Sequence, residues 1–377
     1  MSVRKEFAEY AAKAWLEAAE IIRTMCNIPA PSHHEEKRAE FCRKWFADNG
    51  FCDVVTDSAR NVIVPLNVRE NNKITVIMAH TDTVFPDTEP MGYVEKDGYI
   101  HSPGVCDDTA NLAVMMVCAR YFRDHYSPGE NGVIFVANSC EEGLGNLKGS
   151  RLIAETYSGR IKEFISLDAS RMNKVVTGAV GSHRYRVVVR TEGGHSFTAF
   201  GNRNAIHILS GMISALYTVK VPVIGNSVTT YNVGNISGGT SVNTIAQYAE
   251  MLFEYRSDNR DCLEKMRAIF NNIIEFYRSA GIEIEVDLIG ERPCSGCVDP
   301  ELHGILKQRY VNALDRSLGV GYSEEAGSTD CNIPLSLGIP AICFGVVRGY
   351  GCHTREEKIE TASLYDGCCL LLEFLLG

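Results

Sequence analysis

Short, unbroken apolar runs recur along the chain, and each stops at a histidine or an acid. Residues 73–82 (KITVIMAHTD) carry one run into His80-Thr81-Asp82. Residues 132–138 (GVIFVAN) lead to Ser139-Cys140-Glu141-Glu142-Gly143, and residues 161–167 (IKEFISL) to Asp168. Residues 341–347 (AICFGVV) lead through Gly349-Tyr350-Gly351-Cys352 to His353. Runs of this length without polar alternation suit strands buried on both faces, as in a parallel sheet under helices. Helical periods lie between them. Residues 6–27 are amphipathic. A second helix opens after Pro31-Ser32, where Ser32 and Glu35 have capping-box spacing, and closes at Gly50. Residues 51–66 suggest a strand pair. TANLAVMMVCARYF is helical with Leu112, Met115, Met116 and Ala119 on its apolar side, so Asp107 and Asp108 fall at a loop-to-helix junction.

The middle of the chain is patterned differently. Residues 184–191 (RYRVVVRT) alternate, 204–216 form an apolar-faced helix, and 228–236 a strand before the Gly238-Gly239 turn. Residues 244–256 read as one strand, 260–280 as a helix stopped by Gly281, and 282–289 (IEIEVDLI) as an alternating strand. That order is β-α-β-β-α-β, the ferredoxin-like arrangement. The expected fold is therefore α/β. A catalytic domain with a mostly parallel, doubly wound sheet (residues 1–181 and 294–377) is interrupted by a ferredoxin-like α+β lid or dimerisation domain (residues 182–293). A length of 377 residues suits two domains.

Composition narrows the partners. The net charge is −10 with no basic run, which argues against nucleic acid or an anionic membrane. The N-terminal stretch has no apolar core or cleavage site of a secretory signal, and no apolar segment approaches the roughly 20 residues that span a bilayer. Fourteen cysteines in such a chain read as reduced thiols of a cytoplasmic protein. Cys294-Ser-Gly-Cys297 reads as incidental. Cys106, Cys140 and Cys352 each precede a candidate site residue, and alternation turns them away from it, towards buried packing. Gly143-x-Gly145 lacks the spacing of a dinucleotide fingerprint.

In open α/β sheets, chemistry gathers where strands end. His80, Asp107, Glu141 with Glu142, Asp168 and His353 all stand at such junctions. Two imidazoles and three carboxylates suit divalent metal, zinc first, with cobalt or manganese as alternatives. Five N/O ligands suit two ions sharing one carboxylate, for which Asp107 is the candidate. Two dications balance three carboxylates and a bridging hydroxide, leaving Glu141 to take a proton. Neighbours on extended chain point apart, so Glu141 and Glu142 are expected to have different tasks. Asp82 suits holding the His80 imidazole in the right tautomer. The implied chemistry is attack of a metal-activated water on an amide carbonyl, with Glu141 as general base and then acid.

With these residues in place, the chain resembles the M20 family of di-zinc peptidases and amidohydrolases over nearly its whole length. AHTDTV, CDDTA, SCEEGLGNLKGS and CHTREEKIE are similar to the family's site motifs. The resemblance implies His80, Asp107, Glu142, Asp168 and His353 as ligands and Glu141 as base. GGHSFTAFGNRNAI is similar to the lid-domain histidine motif, which implies that His195 reaches a partner subunit's site in a homodimer. SGGTSVNTIA implies Asn243 in substrate contact. FEYRSD and GERPCS place Arg256 and Arg292 where relatives carry arginines that grip a substrate carboxylate. GSTDCN, with Thr329 and Asp330, matches a further segment near the site. Thr109 stands where the family often has lysine. Aspartate at Asp168 is similar to the aminopeptidase branch. The resulting expectation is a zinc exopeptidase that removes the N-terminal residue from short peptides. The alternatives are a glutamate-carboxypeptidase-like enzyme or N-acyl-amino-acid deacylase, and a dimeric metal-binding protein without turnover.

Overall fold

A computed structural model describes residues 3–127 and 129–377. The chain divides into two compact units, one formed by the chain up to Ala179 together with Gly296–Gly377, the other by Val180–Ser295.

The first unit is built on an eight-stranded sheet. Its centre is four parallel strands in the order Gly132–Asn138, Ile74–His80, Ile161–Ser166 and Ala341–Phe344. Val62–Leu66 and Val55–Thr56 continue one side antiparallel. On the other side Lys174–Ala179 pairs antiparallel with Ala341–Phe344 and parallel with Ser323–Gly327. Alternation along the strands feeds two cores, as a doubly wound sheet requires. From the Ile74–His80 strand, Ile77 and Ala79 pack into the core formed with helices Lys5–Cys26, Ala110–His125, Pro300–Ser317 and Ser363–Leu376. Ile74, Val76 and Met78 pack into the opposite core with helix Lys148–Thr156. Helix Ala110–His125 touches both the sheet and two outer helices. Leu112 through Ala119 are accordingly all fully buried, not just one face.

The second unit is a four-stranded antiparallel sheet in the order Thr229–Gly238, Tyr248–Ser257, Gly181–Arg190, Glu283–Arg292. Helices Ala205–Tyr217 and Arg260–Ser279 share a core with it through Leu209, Met212, Val187, Met251, Phe253 and Phe270. Asn204 and Asn259 cap the two helices by accepting backbone N–H groups from Ile206 and Cys262. The segment expected as one strand over 244–256 is two. Thr244–Ile245 pairs with Gly194–His195, and Tyr248–Ser257 joins the main sheet. Between them the Ala246 carbonyl accepts the Ala205 N–H and the Thr191 hydroxyl, and the Gln247 carbonyl accepts the Thr191 N–H, outside either ladder. Among the described residues no helix is long and apolar enough to cross a membrane.

Candidate metal centre

The four parallel strands end together, and their exits place the candidate residues. His80 closes its strand opposite Asn138. Its ring is fixed at both nitrogens. Nδ1 lies 3.0 Å from the Asp82 carbonyl and 3.4 Å from Asp82 Oδ1. Nε2 lies 3.0 Å from Asp107 Oδ1 and 3.9 Å from Asp168 Oδ1. Nδ1 is thus placed to donate to Asp82, and Nε2 is the nitrogen that faces the carboxylates.

Asp107 joins the two halves of the cluster. One carboxylate oxygen meets His80, and the other lies 3.0 Å from His353 Nε2. His353 Nε2 is also 3.4 Å from Glu142 Oε1. Ligand-capable atoms of His80, Glu141 and Asp168 lie within 4.8 Å of one another, as do those of His80, Asp107 and Glu142. Glu141 thus faces the Asp168 side and Glu142 the His353 side. Both turns that aim these groups use left-handed backbone at non-glycine residues, Cys140 (φ 58°) before the glutamate pair and His353 itself (φ 65°). Asp108 points elsewhere. Its carboxylate accepts the His80 N–H at 2.9 Å and the Asn111 amide at 2.7 Å.

The electrostatics suit cations. Burial opposes a charge on His80, but the bonds to Asp107 and Asp82 outweigh it and raise its pKa well above the imidazole range. Bonds to Asp107 and Glu142 push His353 up to about 11. Burial, reinforced by the charge of Asp107, holds Asp168 well above the carboxylate range. Burial lifts Glu142 to about 7, against the His353 bond and with help from Asp107 and Glu141. Acids this crowded hold protons that a divalent cation would replace. An N/O donor set, with one carboxylate offering an oxygen to each of two imidazole-bearing corners, fits two such ions. The centre opens at His353, whose side chain is 55% exposed, whereas His80 is fully buried.

Asp82 and Asp330, together with Ser32, Glu35 and Glu357, whose part was not expected, complete the frame. Asp82 Oδ1 accepts the Glu141 N–H and Oδ2 the Glu142 N–H, both at 3.0 Å, so it braces the glutamate pair as well as His80. Ser32 is not a helix cap. Its hydroxyl donates to Asp82 Oδ2 at 2.6 Å, and the helix Glu36–Asp48 starts with Glu35 at its N-cap without a side-chain cap bond. The Glu35 carboxylate instead accepts the Cys140 N–H at 3.1 Å. Glu357 accepts N–H groups from Gly104, Cys106 and Asp107 at 3.0, 2.7 and 3.0 Å. Only its place four residues after His353 hints at this in the sequence. Asp330 is buried and accepts the Asn138 amide at 2.6 Å.

The remaining candidates lie in the second unit. His195 pairs with Thr244, Ser196 N–H donates to the Asn243 carbonyl at 2.9 Å, and both His195 and Asn243 are exposed. Arg256 and Arg292 flank Ser182 in one row across three strands. Arg256 donates twice to Glu254, at 3.0 and 3.1 Å. Arg184 is lowered by burial and then by the charges of Arg292 and Arg256, which marks the three guanidiniums as neighbours.

Residues 76–377 match the profile of Peptidase family M20/M25/M40. A succinyl-diaminopimelate desuccinylase from Corynebacterium glutamicum is 24% identical over 380 residues, spanning 94% of this chain and 95% of that protein. Among solved structures, a tripeptidase from Staphylococcus aureus superposes with a TM-score of 0.75 at 22% identity, covering 96% of this chain and 97% of that one. YxeP from Bacillus subtilis, described as a dinuclear metal-binding peptidase, gives 0.61 at 17% identity, covering 96% and 97%.

Proposed function

Because the chain belongs to peptidase family M20/M25/M40, a family of hydrolases, we propose that it is a di-metal exopeptidase that removes the N-terminal residue from short peptides. The observation that carries the metal reading is Asp107, whose two carboxylate oxygens each lie 3.0 Å from a different imidazole. We assign His80, Asp107 and Asp168 to one ion and Asp107, Glu142 and His353 to the other, with zinc preferred by the donor set. Divalent ions bound there supply Lewis acidity to a water and to the scissile carbonyl.

The chain's own groups supply the rest. Glu141 takes the proton from the attacking water and returns it to the leaving amine nitrogen. Its backbone is held by Asp82, so the carboxylate is aimed before substrate arrives. His195 and Asn243 are assigned to the oxyanion and the substrate backbone, with His195 acting across a homodimer. Arg256 and Arg292 are assigned to a substrate carboxylate, for which a guanidinium fork is suited.

A second reading has support of its own. The cluster of Arg184, Arg256 and Arg292 and the desuccinylase relative favour an N-acyl amino acid substrate with a free carboxylate. Aspartate at position 168 and the tripeptidase neighbour favour the peptide. Product analysis separates them. Metal-loaded protein is incubated with an unblocked tripeptide of three different residues, its N-acetylated form, and an N-succinyl amino acid. Loss of the first residue from the free peptide alone supports the aminopeptidase. Release of succinate, acetate or the last residue refutes it in favour of the second reading. Glu141→Gln is expected to keep its metal and lose about 10²–10⁴-fold in kcat. Unchanged turnover removes Glu141 from the base role.

A further inference from the structure

We propose that Cys106 and Cys352 form an oxidative modification site, a reversible disulfide joining the segments that carry Asp107 and His353. The two sulfurs, 246 residues apart in the chain, lie 3.1 Å from each other. A disulfide needs about 2.05 Å, so closure is a movement of about 1 Å. The two thiols turn onto one another.

The surroundings decide which segment moves. Cys106 is fixed. It is 1% exposed, and its N–H donates to Glu357, which also holds Gly104 and Asp107. A Cβ built on Gly349 would stand 2.3 Å from Cys106 Cβ, so that side is filled as well. Cys352 is half-buried, in the loop that presents His353 in a left-handed conformation at the open edge of the centre. A small oxidant therefore reaches Cys352 first, and the Cys352–His353 segment takes up the closure.

With hydrogen peroxide the chemistry balances in two steps. The Cys352 sulfur attacks one peroxide oxygen, an S–O bond forms, the O–O bond breaks and one water leaves, giving a sulfenic acid. The Cys106 sulfur then attacks Cys352, the S–S bond forms, the S–O bond breaks and a second water leaves. Two thiols lose two electrons and two protons, and one peroxide becomes two waters. A dithiol reductant reverses the link by exchange. Transient, redox-sensing disulfides of this kind are the sort found in reducing compartments.

The consequence for the metals rests on the di-metal reading above, whereas the disulfide does not. His353 Nε2 lies 3.0 Å from Asp107 Oδ2 and 3.4 Å from Glu142 Oε1. Ligand distances tolerate about 0.2 Å, so a sulfur displacement of about 1 Å at the residue before His353, taken up by the Cys352–His353 segment, releases the ion assigned to His353, Asp107 and Glu142.

The test treats the full chain, metal-free and zinc-loaded, with limiting hydrogen peroxide, blocks remaining thiols, and maps peptides without reduction. The expected product is a cross-linked Cys106–Cys352 peptide pair, restored to free thiols by dithiothreitol and missing from both Cys352→Ser and Cys106→Ala. Elemental analysis of the zinc-loaded protein is expected to show half the zinc after oxidation and full zinc in oxidant-treated Cys352→Ser. Separate oxidation of the two thiols without the cross-link overturns the site. A cross-linked protein with undiminished zinc overturns its coupling to the centre. A reduced wild-type chain that binds no zinc refutes the di-metal reading, and the peptide map still decides the disulfide.

Discussion

Replacing Asp82 with asparagine keeps the shape of the group at the heart of the frame and removes its charge and one of its two acceptors. The carboxylate is completely buried. It accepts the Glu141 N–H at 3.0 Å, the Glu142 N–H at 3.0 Å and the Ser32 hydroxyl at 2.6 Å, and it stands 3.4 Å from His80 Nδ1. In asparagine one oxygen becomes an NH₂ that must face one of those N–H donors. A bond to a charged group contributes about 1.5–3 kcal/mol, and a buried donor left without an acceptor costs about 1–3 kcal/mol more. Weakening of the bonds that survive is smaller, so the native state should lose about 3–5 kcal/mol.

Only the part of that loss that differs between metal-free and metal-loaded protein reaches metal affinity. Groups that orient ligands in this way typically carry about 10–100-fold. Asp82→Asn is therefore expected to unfold at markedly lower guanidinium concentration when metal-free. It is also expected to bind zinc about 10–100-fold more weakly in competition with a chromophoric chelator. Ser32→Ala removes one donor and leaves the carboxylate charged with both amides in place, so its loss should stay near 1.5 kcal/mol or about tenfold. Two results refute the reasoning. One is Asp82→Asn within about 1 kcal/mol and about twofold of the parent, below the loss of even one such bond. The other is Ser32→Ala as damaging as Asp82→Asn, which would mean that the amides of the glutamate pair are not what the carboxylate holds.

Other consequences follow from the same geometry. His353→Ala should leave one zinc per chain and Asp107→Asn neither, because Asp107 faces both imidazoles; equal zinc content in the two variants would remove Asp107 from the bridging position. Glu357→Gln disturbs a buried carboxylate that holds three N–H groups and should lower metal-free stability by about 2–4 kcal/mol in chemical denaturation. His183 is buried, and that burial, followed by the charge of Arg267, lowers its pKa. The unfolded chain thus binds the proton more readily, and this contribution to stability is present above about pH 6.5 and lost as pH falls through the lowered value. His183→Gln should flatten the pH dependence of the second unit's unfolding below about pH 6.5, and an unaltered slope there counts against the assignment.

Most of the candidate site is legible in the chain because His80, the Glu141–Glu142 pair, Asp168 and His353 each follow an unbroken apolar run and parallel strands end on one edge, whereas Asp107 stands out only by its place at a loop-to-helix junction. His80, Glu141, Glu142, Asp168 and His353 could be grouped without knowing strand order. The braces were not legible. Ser32 and Glu35 have the spacing of a helix cap, yet one donates to Asp82 and the other accepts from Cys140, and a local pattern cannot reveal partners 50 and 105 residues away. Helix Ser363–Leu376 is not among the elements expected from the sequence; Leu364 and residues 367–374 are all buried in it, Glu373 the one charged residue among them. Cys106 and Cys140 are buried as expected, Cys352 is only half-buried, and the contact between Cys106 and Cys352 depends on the fold.

The same long-range logic accounts for a departure noted at Thr109, where chains of this family often carry lysine. A cation does stand beside that position, supplied from another part of the sequence. Arg38 is 1% exposed and donates from Nη1 to the Thr109 hydroxyl and to the Thr81 carbonyl, each at 3.0 Å, and from Nε to the Ile28 carbonyl at 2.7 Å. Its hydrogen-bond partners are neutral oxygens, and burial lowers its pKa, with the charge of Asp82 acting against that. Such a buried guanidinium is costly unless its fork is well bonded. Here the fork ties the strand exit that bears His80 and Asp82 to the turn that bears Asp107 and Asp108. Thr81 in turn donates through both its N–H and its hydroxyl to the Asn138 carbonyl, at 2.7 and 2.8 Å, and the Asn138 amide reaches Asp330. The exits of strands Ile74–His80 and Gly132–Asn138 and the turn that bears Asp107 are thereby linked by bonds that leave His80 Nε2 facing Asp107 and Asp168. A lysine introduced at position 109 would meet the Arg38 guanidinium that donates to the threonine hydroxyl.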